Sequence, residues 1–243
     1  MKDIIRDNVR DIRITLLRIR SMIIKPLDAD DNVLIIAPHP DDEVFGCAGM
    51  IKQAIEQGKK VNVVILSGGG KSHSGCCNIN EEILISERRD LSRNAAKILG
   101  LSLDDLHFLN YPDGNISFES SETLRLAELI DELNPKAVFV PHFGEGWSDH
   151  IETGNIVRRL LQDRVCVKLY EYCVWFWYYN TRCIDWERAR LLKMSNEQHG
   201  AKLKAIKEYI EPKAPCGKPW SGVLPRVFIK ANSWNKELYF EVK

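Results

Sequence analysis

VLIIAPHPDDEVFGCAGMI, residues 33–51, opens with five apolar residues, 33–37, rich in β-branched side chains. A short run of this kind suits a strand buried on both faces, as in a parallel sheet. Pro38 and Pro40 end it, and from Val44 onward apolar residues return at helical spacing (Val44, Ala48, Ile51, Ile55). His39, Asp41, Asp42 and Glu43 stand between the strand and the helix. Two roles are open to this polar cluster. Carboxylates in a first turn complement the free N–H groups of a helix N-terminus, and ligands of open parallel sheets bind just beyond the carboxyl ends of the strands.

Outward from this unit, short β-branched runs alternate with longer helical patterns. Strands are expected at 33–37, 61–67, 106–109, 137–141 and 167–175, and helices at 44–57, 81–99, 122–133 and 153–161. The expected fold is α/β: a Rossmann-like, mostly parallel sheet with helices on both faces, in a single domain. Its 243 residues suffice for a sizeable core, and no repeat or Gly/Pro/Ser-rich linker divides it. Residues 211–222, EPKAPCGKPWSG, read as part of a long surface loop, a kind of segment that often carries function.

Residues 1–27 read as an N-terminal helical extension to a domain spanning 28–243. The extension carries seven Lys/Arg against three Asp, with Ile and Leu recurring every three or four positions. A packing helix with a solvated charged face is the plain reading, and peripheral contact with an anionic membrane is the sharper one. Lys+Arg and Asp+Glu both number 34, so no global field favours nucleic acid as a partner. Seven cysteines (Cys47, Cys76, Cys77, Cys166, Cys173, Cys183, Cys216) include no C-x-x-C pair. That pattern argues against a disulfide framework or a thiolate zinc site, and the expected location is the reducing cytoplasm. The oligomeric state is left open.

A second polar cluster follows the strand at 137–141. HFGEGWSDH, residues 142–150, sets Asp149 and His150 where another helix begins. Two imidazoles and a carboxylate from the two strand ends can therefore converge. A zinc ion with three N/O protein ligands keeps a fourth position for water, whose pKa it lowers to about 7. Such a site hydrolyses.

APHPDDE at 37–43 resembles the A-H-P-D-D-E motif of the LmbE-like (PIG-L) zinc N-deacetylases, with Pro38 inserted. RRDLSRNAAKILG, LNYPDG, SDH and LYEYCVW resemble later motifs of that family in the same order, so the likeness covers about residues 33–210. The resemblance implies removal of an N-acetyl group from an N-acetylglucosamine-like sugar, the partner being a small amino-sugar substrate and the cofactor one Zn2+ or another divalent ion. By position it implies His39, Asp42 and His150 as metal ligands and Asp41 as general base. Glu43 either orients a ligand or caps the helix. Asp113 and Arg88 match positions near the substrate, although Asp113-Gly114 is also an ordinary turn pair and Arg88 could lie on an exposed helix face.

One departure stands out. Trp147 occupies the place of an imidazole expected to stabilise the oxyanion, so Asp149, its helper, has no such ring to orient. His142 is the first candidate for the missing donor and His73 the second, while Trp147 could stack on a sugar ring. A non-catalytic sugar-binding protein of the same fold, and a metal-dependent hydrolase of another amide, are the alternatives. SGGGKS at 67–72 lacks the first glycine of a phosphate-binding loop, since Ile65 stands there, and GCAGM lacks dinucleotide-binding spacing. The Gly-rich loop is instead a candidate for lining the pocket.

Overall fold

The computed structural model describes residues 2–27, 31–75, 77–179 and 184–242, with side chains from Ile5 onward; Cys76 and Cys183 lie outside them. Five strands run parallel: β1 (Asn32–Ala37), β2 (Lys60–Ile65), β3 (Leu106–Phe108), β4 (Ala137–Pro141) and β5 (Lys168–Tyr172). Two more extend the sheet past β5. β7 (Lys236–Val242) pairs antiparallel with β5, and β6 (Ala189–Lys193) antiparallel with β7. The order is β3-β2-β1-β4-β5-β7-β6. From β1 the chain winds outward through β2 and β3, then returns to the other side of β1 for β4 and β5. The sheet therefore reverses direction between β1 and β4, where Val33 pairs with Ala137 and Ile35 with Phe139. The crevice beyond such a reversal is where open α/β sheets bind ligands.

Alternate residues of β1 feed different cores. Val33, Ile35 and Ala37 pack in one cluster with α2 (Asp42–Glu56), α3 (Glu81–Leu99) and α6 (Asn196–Ile210), through Phe45, Ile51, Leu91 and Ile206. Leu34 and Ile36 pack on the other face with α4 (Glu122–Leu133) and α5 (Ser148–Leu160), through Leu126, Ile130, Ile156 and Val157. The expected helices on both faces are thus present. Some boundaries differ from expectation and further elements are added. The fifth strand stops at Tyr172 instead of residue 175, α5 begins at Ser148, and β6, β7, α6 and the short α7 (Arg226–Asn232) extend the pattern.

The N-terminal extension forms α1 (Lys2–Ser21), but its packing reverses the expected solvated charged face. Arg13 donates to the carbonyls of Phe176 and Trp177, and Arg18 to those of Lys230 and Ala231. Ile14 is buried beside Trp177 and Val227 in a third cluster. The outer face carries Ile5, Val9, Ile12, Leu16, Ile19, Met22 and Ile23, all exposed. Among the described residues no helix is long and apolar enough to cross a membrane.

Candidate active site

Both polar clusters meet at the reversal between β1 and β4. A cavity of about 470 Å³ opens there, lined in part by His39, Asp41, Asp42, Arg88, Asp113, Trp147, Asp149 and His150. One ligand atom from each of His39, Asp42 and His150 lies within 4.8 Å of the others, and Asp42 and His150 are buried. Asp42 Oδ2 is 3.3 Å from His39 Nδ1 and 3.4 Å from His150 Nε2, and it accepts the backbone N–H of His39 at 3.1 Å. Burial pushes the Asp42 carboxyl up, but the His150 and His39 rings outweigh it and hold it below its usual range.

The far side of each imidazole meets a carboxylate. His39 Nε2 lies 3.1 Å from Asp149 Oδ2 and 3.2 Å from Asp113 Oδ1. Asp149 is fixed by the N–H groups of Gly114 (2.7 Å) and Ile116 (3.3 Å), and Asp113 by that of Lys71 (2.7 Å). Burial raises the Asp113 carboxyl, yet the His39 hydrogen bond prevails and brings it to about 2. Asp149 thus has an imidazole to orient after all, and it is His39. On the other side His150 Nδ1 lies 3.5 Å from Glu145 Oε2 and has no hydrogen bond among the described residues. Glu145 is fully buried and accepts the N–H groups of Val174 (2.8 Å), Trp175 and Phe176 (3.1 Å). Two imidazoles and a carboxylate, with a carboxylate behind each ring, form a donor set that fits a divalent metal such as zinc. Glu145 escaped the sequence reading. The only trace of it was an acidic residue inside an otherwise Gly-rich HFGEGW loop.

Asp41 adopts φ 116° and ψ −31° at the start of α2, and its side chain makes no capping hydrogen bond. Two neighbours hold this backbone. Glu43 Oε2 accepts the Asp41 N–H at 3.0 Å, while its Oε1 accepts the Tyr209 hydroxyl. Burial raises the Glu43 carboxyl to about 7. Arg88, buried on α3, donates to the carbonyls of Pro40 (2.7 Å) and Gly69 (2.8 Å) and lies 3.4 Å from Asp41 Oδ2. It is no exposed helix arginine: it binds the Gly-rich loop to the turn at Pro40 and Asp41. Gly69, at φ +66°, must stay glycine, since a Cβ there would fall 2.0 Å from Arg88 Nη1. Burial raises the Asp41 carboxyl well above its usual value despite Arg88.

Trp147 immediately precedes α5 and lines the cavity, 5.7 Å from the ring of Trp175. Lys71 and Ser72 bring the Gly-rich loop to the rim, and Ser221 and Leu224 bring the loop after α6. The Ser221 hydroxyl is buried without a hydrogen-bond partner among the described residues.

Neither histidine considered for the missing donor is brought to this cavity. His142 packs against Phe143, Phe176 and Phe240, with Nδ1 accepting the Gly144 N–H at 2.9 Å. Burial, aided by Arg158 and Arg188, lowers its pKa to about 3. It is a neutral core residue because the chain after β4 turns its ring onto the β7 side of the sheet. His73 faces Trp220, and only its neighbours Lys71 and Ser72 reach the cavity.

Residues 34–161 match the family described as PIG-L: GlcNAc-PI de-N-acetylase. The chain is 33% identical over 138 residues to the probable N-acetyl-alpha-D-glucosaminyl L-malate deacetylase 2 of Bacillus subtilis (strain 168), covering 54% of this chain and 61% of that protein. The match to the Bacillus anthracis protein of the same name likewise spans only 59% of its length. Among solved structures, N,N'-diacetylchitobiose deacetylase from Pyrococcus horikoshii superposes with a TM-score of 0.59 at 22% identity, covering 73% of this chain and 69% of the other. A deacetylase of teicoplanin biosynthesis reaches 0.67 at 14% identity, over 86% and 96% of the two chains. At these identities the structural likeness establishes the shared fold.

Proposed function

The chain belongs to the PIG-L family of GlcNAc-PI de-N-acetylases, and from that premise we propose that it is a metal-dependent hydrolase that removes the acetyl group from an N-acetylglucosamine-like sugar. The observation that carries this reading is the joining, in one cavity, of the ligand set His39, Asp42 and His150 with the unligated carboxylate of Asp41. A divalent ion held by those three residues would polarise the amide carbonyl and make water acidic enough to attack near neutral pH. Asp42 is committed to the two imidazoles, whereas Asp41 belongs to no ligand set among the described residues. Arg88 sits by Oδ2 of Asp41, which leaves Oδ1 to take a proton from the attacking water and pass it to the departing amine. Asp149 and Asp113 orient His39, and Glu145 stands behind His150, so neither ring has to reorganise during the reaction. Trp147 and Trp175 supply an apolar wall suited to a pyranose face. With tryptophan at 147, side-chain donors lining the cavity that could serve a developing oxyanion include Lys71, Ser72, Arg88, Ser148 and Ser221.

Acetate release from a panel of N-acetylglucosamine glycosides tests the reading. The Asp41→Asn protein should retain its metal and lose about 10²- to 10⁴-fold in rate, the usual effect of deleting a general base. Sugar binding by the wild type without any acetate release would support the binding-only alternative, and acetate release from non-sugar amides alone would move the substrate class.

A further inference from the structure

Beside the cavity, the Gly-rich loop and the loop that follows α6 meet a second time. Ser72 Oγ lies 3.2 Å from the Trp220 carbonyl, and the rings of His73 and Trp220 sit 6.3 Å apart. Gly75, at φ +72°, bends the first loop so that His73 and Cys77 return to the same side. In the second loop a tight turn, with the Gly217 N–H donating to the Ala214 carbonyl at 2.8 Å, carries Cys216. One ligand atom from each of His73, Cys77 and Cys216 lies within 4.8 Å of the others.

His73 is the telling member. Its ring is 4% exposed, yet Nε2 has no hydrogen-bond partner among the described residues, while Nδ1 faces Ser72 Oγ at 3.2 Å. A buried nitrogen left unpaired is desolvated without compensation, so it calls for a partner.

We propose that His73, Cys77 and Cys216 form a second, thiolate-containing site for a zinc-like divalent ion, separate from the His39 cluster and joining the two loops that frame the cavity. One imidazole and two thiolates are soft donors of the kind that select zinc and exclude magnesium or calcium. Zinc bond lengths put such ligand atoms about 3.6–3.8 Å apart, so a contraction of at most about 1 Å closes the group. Lys71 and Ser72 on one loop and Ser221 and Leu224 on the other line the cavity, so an ion here would fix the rim that meets the substrate. The absence of a C-x-x-C pair concealed this arrangement, because its ligands come from segments far apart in sequence.

Cobalt separates the two sites, since the His39 cluster has no sulfur. Metal-free protein kept under reductant and titrated with Co2+ should develop a thiolate-to-cobalt charge-transfer absorption whose final amplitude corresponds to one thiolate-bound ion per chain and which is bleached by zinc. His73→Ala and Cys216→Ser should each abolish it and lower total zinc by one per chain. His39→Ala and the distant Cys166→Ser should leave it intact. Circular dichroism checks that the Cys216→Ser protein is folded, and the wild-type spectrum stands independently of any variant. No charge-transfer band in the wild type, a band that survives Cys216→Ser, or a Cys77–Cys216 disulfide persisting under reductant would each overturn the proposal.

Discussion

Asp41 holds a backbone that only glycine adopts without strain, φ 116° and ψ −31°, which costs about 1–3 kcal/mol. The surrounding bonds enforce it: Glu43 takes the N–H and Arg88 the preceding carbonyl. Asp41→Gly should relieve that strain while adding about 0.5–1 kcal/mol of chain entropy. A net gain of about 1 kcal/mol in urea unfolding is expected, together with loss of acetate release. Destabilisation would show that the conformation is not strained. His142 makes the opposite pair of predictions. Enclosed by Phe143, Phe176 and Phe240, it should behave on truncation like a buried aromatic residue. His142→Ala should lose about 3–5 kcal/mol of stability, while kcat of the folded protein stays at the wild-type level. A normal melting curve with a collapsed kcat would return His142 to the chemistry.

Among the elements, α6 and β7 are tied to α2 by a buried ion pair. Lys202 Nζ donates to Glu237 at 2.7 Å and to the Phe45 carbonyl at 3.1 Å, and Glu237 also accepts the N–H groups of Gly49 and Met50 on α2. Lys202→Met should cost about 3–5 kcal/mol because it leaves a buried carboxylate unpaired. Adding Glu237→Gln, which removes the charge but keeps an acceptor for the Gly49 and Met50 N–H groups, should recover most of that loss, and both effects are read from urea midpoints. If the single variant were as stable as the wild type, the pair would not be holding these elements. The same pair explains why part of the fold was hidden from the sequence. β1, β2 and β4 are read directly from their apolar runs, but the pattern of β7 does not show that its Glu237 points into the core. β5 stops at Tyr172 because Glu145 captures the next N–H groups in a turn, although the apolar run itself continues. The start of α5 was legible from Asp149 and His150 at the helix entry, although the apolar spacing itself begins only at Thr153. At the site, the ligand types and the strand ends bearing them were legible. The pairing of Asp149 with His39, the burial of Arg88 and the part played by Glu145 depend on contacts between distant segments, and only the fold supplies those.

On the scale of the whole molecule, the sheet reversal between β1 and β4 makes one cavity from two segments over a hundred residues apart. His39, Asp42 and His150 then share a pocket with the Asp41 carboxylate and the rings of Trp147 and Trp175. The central claim is that this pocket hydrolyses an acetamido group with a metal held by His39, Asp42 and His150. The most direct measurement follows acetate and free amine together from an N-acetylglucosamine glycoside, using wild-type and His150→Ala protein, each first stripped with chelator and then given zinc. The account predicts equal amounts of the two products from the wild type, loss of both on stripping, full return with zinc, and no return in His150→Ala. Undiminished hydrolysis by the stripped wild type, or zinc-restored hydrolysis by His150→Ala, would contradict it.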